Sequence, residues 1–150
     1  MEHLYKIKKG LNLNLEGAAE LTLSEAPASK VYAIAPSDFH GLSPRLLVKE
    51  GDRVLAGTPL FVDKATEQVN VVSPVSGTVQ AIERGERRKL LYVRIAADAV
   101  QESKTFTCDL EQAEAEEVKN VLLESGLFAF FRQRPYDVVA NPDNTPKAIF

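Results

Sequence analysis

The chain has 150 residues, 45% of them hydrophobic, and a formal net charge of −3. This length suits one ordinary domain or a small domain with an appendage, and the acidic balance argues against broad nucleic-acid binding, which needs clustered cations. The single cysteine, Cys108, excludes an internal disulfide framework and an all-cysteine metal site, so we interpret it as a small apolar filler.

The first 36 residues are predicted to be an extended segment that packs on the β domain after it or on a further domain. Four apolar side chains alternate with polar ones there, namely Ile7, Leu11, Leu13 and Leu15. Residues 30–35 read as a strand. The opening lacks the apolar run of a secretory signal, and no apolar run approaches the roughly 20 residues that span a bilayer. We therefore expect a cytoplasmic chain without a transmembrane segment of its own.

Residues 37–98 are predicted to form a small β domain. Short apolar runs predict five strands, at residues 46–49, 59–63, 68–72, 78–83 and 89–96. Turn residues separate these runs, namely Gly51, Asp52, Gly57, Gly77 and Gly85. Many short strands at this spacing indicate a β-sandwich or barrel, so the fold is predicted to be mainly β.

The sequence DLEQAEAEEVKNVLLESG, residues 109–126, predicts a helix with Val118, Val121 and Leu122 on its apolar face. Asp109 is expected to cap the start of this helix, and Gly126 to end it in a left-handed conformation. The glutamates of its first turns suit the positive end of the helix dipole. We interpret them as a solvated face rather than a metal site.

The linker NPDNTPK precedes a terminal apolar triplet, Ala148, Ile149 and Phe150. This triplet reads as the first step of a further strand, whose backbone groups would have nothing to pair with. We therefore expect residues 99–150 to be the helix and linker at the start of a second, truncated domain, and the chain to be a fragment. The alternative is a short native protein whose tail docks on its own β domain.

Two stretches, VKEGDRVLAGTPLF and SPVSGTV, resemble the two halves of the biotinyl/lipoyl-type barrel-sandwich module. In carriers of that type a modified lysine stands at a hairpin tip, and the resemblance places this position at Thr66. Threonine has no amine for the amide link. Lys64 is two residues away but off the apex. A carrier domain with its prosthetic arm on Lys64 is kept as an alternative.

The whole chain is similar to the start of the A subunit of the Na+-translocating NADH:quinone oxidoreductase family. The resemblance rests on KIKKGLNLNLEGAAE, VKEGDRVLAGTPLFVDK, SPVSGTVQAIERGERRKL and LLESGLFAFFRQRPYDVVANPDNTPKAIF. One departure is Phe128, where a tryptophan is expected. The C subunit of the Rnf electron-transport complex is also similar across the barrel, but KIKKGLNL and RPYDVV favour the first family.

The resemblance implies a barrel-sandwich hybrid whose C-terminal helix leads into a missing, Rossmann-like α/β domain. It implies a peripheral subunit on the cytoplasmic face of the bacterial inner membrane. The complex would pass electrons from NADH through flavins and iron–sulfur centres to ubiquinone and export Na+. Other subunits would be the partners, and no cofactor is expected in this part of the chain.

No catalytic constellation is predicted. His3 and His40 are the only imidazoles, so a three-ligand metal centre has no support. Ser43 near His40 is interpreted as a turn residue rather than as a nucleophile. No Gly-rich phosphate loop precedes a helix.

Two surfaces are candidates for contact with a partner. The first is the basic turn, residues 84–89, with Arg84, Arg87, Arg88 and Lys89. It is either a solvated turn, with Glu83 and Glu86 offsetting part of the charge, or a site that docks on an acidic patch or on lipid headgroups. The second is Phe128, Phe130 and Phe131, which either pack the helix against the barrel or the missing domain, or form a hydrophobic wall near a quinone.

Overall fold

The structure is a computed structural model that describes residue 10 and residues 16–149. The alternating residues Ile7, Leu11, Leu13 and Leu15, together with His3 and Phe150, lie outside this range. Nine strands and one α-helix occur among the described residues. The strands are β1 Val31–Ile34, β2 Pro44–Leu46, β3 Arg53–Val54, β4 Pro59–Asp63, β5 Asn70–Val72, β6 Gly77–Arg84, β7 Leu90–Ala97, β8 Arg132–Gln133 and β9 Val138–Val139, and the helix is α1 Ala115–Glu124. Three short 3-10 helices cover Pro36–Asp38, Glu86–Arg88 and Leu127–Phe130.

Two antiparallel sheets form the barrel. One has the strand order β1-β7-β6-β3 and the other the order β2-β4-β5. The strands of both sheets contribute to one core, which contains Val54, Leu60, Phe61, Val71, Val79, Val93 and Ile95. Fully burying side chains of this size contributes about 1.5–3 kcal/mol each. The prediction of a mainly β fold is confirmed.

The long hairpin of β6 and β7 shows why the chain curls into a shell. Buried and exposed residues alternate at the start of β6, from Gly77 to Gln80, so only one face meets the core. Two register shifts, between Val79 and Ala81 and between Glu83 and Arg84, interrupt the pairing with β7. Irregularities of this kind increase the local twist and bend the strand.

Strand β4 lies in the middle of the smaller sheet and has its predicted bounds. Leu60 and Phe61 are both fully buried. Consecutive buried residues indicate that both faces of the strand are covered. The strand predicted at residues 46–49 instead occupies Pro44–Leu46, and the two-residue strand β3 has no separate prediction. Strand β1 belongs to the four-stranded sheet, where it pairs with β7.

The turn at Gly51 and Asp52 leads the chain into β3. Gly51 has φ +91°, a conformation that favours glycine, with nothing within 4 Å of the place where a Cβ would stand. The Lys49 N–H donates to Asp52 Oδ2 at 2.8 Å. The Gly51 N–H donates to the Val79 carbonyl at 2.8 Å and the Val79 N–H to the Asp52 carbonyl at 2.9 Å, so this turn is fixed onto β6.

The prediction of a turn at Gly77 is wrong, because Gly77 is the first residue of β6. A Cβ at this position would stand 2.1 Å from the Ala96 carbonyl oxygen. Gly77 is therefore required because two strand backbones approach closely here, and the left-handed region is not involved. The sequence correctly indicates that glycine is required at position 77, but the predicted reason, a turn, is wrong.

The helix is shorter than predicted. It begins at Ala115, and its N-cap residue, Glu114, makes no side-chain capping bond. Asp109 instead closes a separate turn: its Oδ1 accepts the Glu111 N–H at 3.2 Å and its carbonyl accepts the Ala113 N–H at 2.7 Å. The expected Asp109 cap is wrong because these local bonds use the same acceptors before the helix starts. Within residues 16–149, no helix combines the length and the apolar character needed to cross a membrane.

The connector, residues 98–106, binds back onto the barrel like an added strand. The Ala56 N–H donates to the Glu102 carbonyl at 3.0 Å and the Lys104 N–H donates to the Ala56 carbonyl at 2.8 Å. Gln101 Oε1 accepts the Ser76 N–H at 2.8 Å, and Ser76 Oγ accepts the Glu102 N–H at 2.9 Å. Ser76 is fully buried, so these bonds satisfy polar groups that water does not reach.

The segment after the helix also packs on the barrel. Gly126 ends the helix with φ +78°, and a Cβ there would lie 2.8 Å from Val72 Cγ1. Asn70 Nδ2 donates to the Leu123 carbonyl at 3.3 Å. The Val139 N–H of the β8–β9 hairpin donates to the His40 carbonyl at 2.8 Å. The end of the helix is thus held against β5, and the hairpin is held against the turn before β2.

Candidate functional site

The tip between β4 and β5, residues 64–66, is where the biotinyl/lipoyl resemblance places a modified lysine. The structure places Thr66 in this turn. Asp63 Oδ2 accepts both the Thr66 N–H and the Thr66 hydroxyl, each at 3.1 Å. Asp63 Oδ1 accepts the Ser43 N–H at 2.9 Å. Asp63 is only 8% exposed, so a buried carboxylate holds the tip closed.

The tip is flanked on one side by a later part of the chain. Lys64 is exposed, and its N–H donates to the Ser43 carbonyl at 2.7 Å. A cavity of about 170 Å³ separates the tip from residues 139–141. Gln68 Nε2 donates to Asp143 Oδ1 at 3.2 Å across the same side. A segment of the chain therefore lies beside the tip, where carriers need an open apex.

The basic turn joins β6 to β7. The Gly85 N–H donates to the Lys89 carbonyl at 2.8 Å, and the Lys89 N–H donates to the Glu86 carbonyl at 3.1 Å. Arg87 and Arg88 both have positive φ, of 53° and 60°, which is uncommon for residues with a side chain. Arg84 Nη1 donates to the Arg88 carbonyl at 3.2 Å. The turn thus has a defined shape although its side chains are exposed.

The charge of the basic turn is less compensated than its sequence indicates. Glu83 is expected from the sequence to offset part of it, but Glu83 accepts a hydrogen bond from Arg94 Nε on β7. This bond raises the pKa of Arg94, which stays protonated. Among the described residues, no carboxylate forms an ion pair with Arg84, Arg87, Arg88 or Lys89.

A cavity of about 270 Å³ lies between the basic turn and β2. We call it the basic pocket. Arg84, Arg88 and Lys89 line one side, and β2 together with the residue before it lines the other. Arg87 is not among the lining residues. The structure therefore divides the four predicted cations into three that face a cavity and one that does not.

The three phenylalanines after the helix are divided in a similar way. Phe128 packs against the core, whereas Phe130 is 67% exposed and Phe131 is 38% exposed. The Phe130 ring meets the edge of Phe39, with centroids 5.9 Å apart. Phe128 and Phe131 have centroids 5.5 Å apart. One member anchors the segment on the barrel, and the other two present apolar surface.

The described part of the chain contains no group of three or more His, Cys, Asp or Glu side chains that could hold a metal ion. Cys108 is half-buried and free. Ser43, which lies near His40 in sequence, contributes backbone groups to the tip. Ser43 therefore helps to fix the tip through its backbone.

Sequence reasoning missed three long-range pairs that shape these surfaces. They are Ser43 with Asp63, Ser76 with Gln101, and Glu83 with Arg94. The first two have no local signal, because the partners are 20 and 25 residues apart. The third follows from the hairpin, in which Glu83 lies opposite Tyr92 and Ala81 opposite Arg94. A correct hairpin register would have placed the third pair as diagonal neighbours.

Two family models match this chain. The model of the NqrA N-terminal barrel-sandwich hybrid domain matches residues 5–98, and the model of the NqrA second alpha/beta domain matches residues 113–150. The first match alone covers more than half of the chain. Both matches favour the first family over the Rnf alternative.

Curated relatives agree with these models. The chain is 44% identical over 153 residues to the A subunit of the Na(+)-translocating NADH-quinone reductase of Marinomonas sp.. It is 37% identical over 150 residues to the corresponding protein of Saccharophagus degradans and 39% identical over 150 residues to that of Pseudomonas aeruginosa. Each alignment covers 98% of this chain and 34% of the relative, so the chain spans about a third of these relatives' length. The resemblance drawn from the sequence is confirmed, and the chain belongs to the NqrA family, the A subunits of the Na+-translocating NADH-quinone reductases, whose N-terminal barrel-sandwich hybrid domain it contains.

Proposed function

We propose that this chain is the N-terminal, non-catalytic docking part of the peripheral A subunit of a redox-driven Na+ pump. The pump would oxidise NADH, reduce ubiquinone and export Na+. The names of the relatives, which are NADH-quinone reductase subunits that translocate Na+, support this activity for the complex. The chain would take part as a structural element, with other subunits as partners, on the cytoplasmic face of the bacterial inner membrane.

One observation carries the structural role: the chain after the barrel is bonded back onto it at two places. The connector adds to the barrel at Ala56 and Ser76, and the segment after the helix packs on Val72 and His40. Buried hydrogen bonds and close packing of this kind fix the orientation of the joined elements. The barrel would therefore act as a rigid anchor for the α/β domain that follows.

The domain division that we propose follows from this arrangement. Residues 1–36 would be a leading segment that adds β1 to the four-stranded sheet, residues 37–98 the rest of the barrel, and residues 99–150 the helix and linker at the start of a Rossmann-like domain. The two family models, which meet between residues 98 and 113, support a boundary in this part of the chain.

An iron–sulfur cluster does not fit the residues of this chain. Iron–sulfur clusters are held mostly by four cysteine thiolates, and the chain has one cysteine. We propose that flavins, iron–sulfur centres and the NADH site are held by other parts of the complex.

Quinone contact at Phe128, Phe130 and Phe131 is a second candidate role, favoured by the exposure of the last two side chains. Photolabelling of the intact complex with a quinone analogue would test it, and a pattern that spares residues 128–131 would refute it.

We propose that the basic turn docks the chain on neighbouring subunits. The test is a double charge reversal, Arg87→Glu with Arg88→Glu, followed by co-purification of the complex. The matched control is Arg134→Glu with Lys147→Glu, because both of these side chains are exposed and the charge change is equal. We expect the first variant to lose other subunits and the control to retain them. Full co-purification of the first variant would refute docking through the basic turn.

A further inference from the structure

We propose that the basic pocket is a binding site for a phosphate group. This inference goes beyond the proposed docking on subunits, because it assigns a second ligand, a phosphate group, to the same turn. The pocket is a concavity of about 270 Å³ between two separate elements, the basic turn and the edge strand β2. Its lining comes from residues distant in sequence, so the pocket exists only in the folded chain.

The lining of the pocket selects an anion. Arg84, Arg88 and Lys89 line it, and no carboxylate is among its lining residues. Glu83, the acidic residue just before the turn, is bonded to Arg94 on β7. Three like charges around one cavity repel each other, and a bound anion would relieve that repulsion.

The backbone of the turn pre-positions one guanidinium group. Arg84 Nη1 is held by the Arg88 carbonyl at 3.2 Å. Arg88 provides this carbonyl while its own φ is +60°, a conformation that residues with side chains seldom adopt without a structural reason. A guanidinium has five N–H donors, so most of those on Arg84 stay free to bind a ligand.

Phosphate fits this lining better than a carboxylate on a protein surface. A phosphate group can accept paired hydrogen bonds from arginine and carries up to two negative charges, which suits three cations. The basic pocket is concave, and Ser43 is among its lining residues. Pro44, Leu46 and Leu90 supply an apolar wall, which would contact the organic part of a phosphate ester.

Such an ester is either a soluble phosphomonoester or the headgroup of an anionic phospholipid. Two binding experiments on the full-length protein distinguish these sources. The first titrates inorganic phosphate against chloride at equal ionic strength and follows amide chemical shifts. The second measures co-sedimentation with vesicles of phosphatidylglycerol and phosphatidylcholine, with pure phosphatidylcholine vesicles as the blank. We expect saturable binding in at least one experiment.

The decisive comparison is Arg88→Gln against Arg87→Gln. The two residues are neighbours in the turn, both are exposed and both have positive φ, so each variant loses one charge at the same backbone cost. Only Arg88 lines the pocket. We expect Arg88→Gln to weaken Kd about tenfold, equivalent to about 1.4 kcal/mol, and Arg87→Gln to weaken it about two- to threefold through general attraction.

Equal losses in the two variants would overturn the inference, because they would show attraction by net charge without a site. Absence of saturable binding in both experiments would overturn the inference as well. So would a result in which the protein binds a poly-glutamate peptide but neither phosphate nor the anionic vesicles. These outcomes are separate from the docking proposal. Co-purification can depend on Arg87 and Arg88 when no phosphate binds, and phosphate can bind when assembly is unaffected.

Discussion

Gly126 gives the sharpest test of how the helix is attached to the barrel. Its φ of +78° is in the left-handed region, and a Cβ would stand 2.8 Å and 2.9 Å from the two γ carbons of Val72. Gly126→Ala therefore incurs two costs. The left-handed conformation costs about 1–2 kcal/mol for a residue with a Cβ, and the clash with Val72 adds about 1–3 kcal/mol of overpacking.

A matched glycine separates these two costs. Gly51 has φ +91° and nothing within 4 Å of its Cβ position, so Gly51→Ala incurs only the conformational cost. We expect Gly126→Ala to lower the free energy of unfolding by about 2–5 kcal/mol and Gly51→Ala by about 1–2 kcal/mol. Each kcal/mol corresponds to about 2–4 °C in Tm for a chain of this size. Thermal and urea unfolding with a far-ultraviolet signal would measure both variants.

A double-mutant cycle identifies the partner. Val72→Ala removes both γ carbons that a Cβ at position 126 would meet. In the Gly126→Ala background it should recover at least about 1 kcal/mol relative to the sum of the single changes, since residues in contact couple by about 0.5–3 kcal/mol. If Gly126→Ala and Gly51→Ala lower the free energy of unfolding equally, and the cycle shows no coupling, the helix does not pack on β5 in the way described.

Three further predictions concern the tip and the connector. Asp63→Asn should lower the free energy of unfolding by about 1.5–3 kcal/mol, because one carboxylate oxygen that accepts N–H or O–H donors becomes an NH2 group. Chemical unfolding would measure this loss, and an unchanged free energy of unfolding would refute the role of Asp63. Gln101→Ala should cost about 1–3 kcal/mol, because the buried Ser76 N–H loses its acceptor. Gln80→Ala, a change at an exposed position of β6, is its control, and an equal effect of the two would contradict the connector's attachment. The intact mass of the protein isolated from its native cell should equal that of the unmodified sequence; an added lipoyl or biotinyl increment on Lys64 would restore the carrier alternative.

The parts of the fold that are predictable from sequence depend on local chemistry. Strand β4 is placed correctly because an apolar run stands between residues 59 and 63 and the turn residue Gly57 precedes it. The need for glycine at positions 51 and 126 is also readable, because few other residues adopt positive φ. Such features depend on a residue and its near neighbours.

The features that sequence reasoning misplaces depend on contacts between distant residues. A glycine at position 77 looks the same in the sequence whether it forms a turn or allows a neighbouring strand to approach closely. The two cases are distinguished only by the Ala96 carbonyl, which lies where a Cβ would stand. The predicted helix start is misplaced because Asp109 suits a turn as well as a cap. The basic pocket could not be predicted, because β2 and the basic turn meet only through the packing of two sheets.

Native-state hydrogen exchange on the full-length protein tests most directly whether the barrel is a rigid anchor. The Ala56 amide donates to the connector, and the Lys104 amide of the connector donates to the barrel. The Val139 amide of the β8–β9 hairpin donates to the segment before β2. If these elements form one unit, their amides should exchange with the same opening free energy as the core amide of Val79, and that value should equal the global stability. Fast exchange of Lys104 and Val139 at full protection of Val79 would contradict the account, because the connector and the hairpin would then open independently of the barrel.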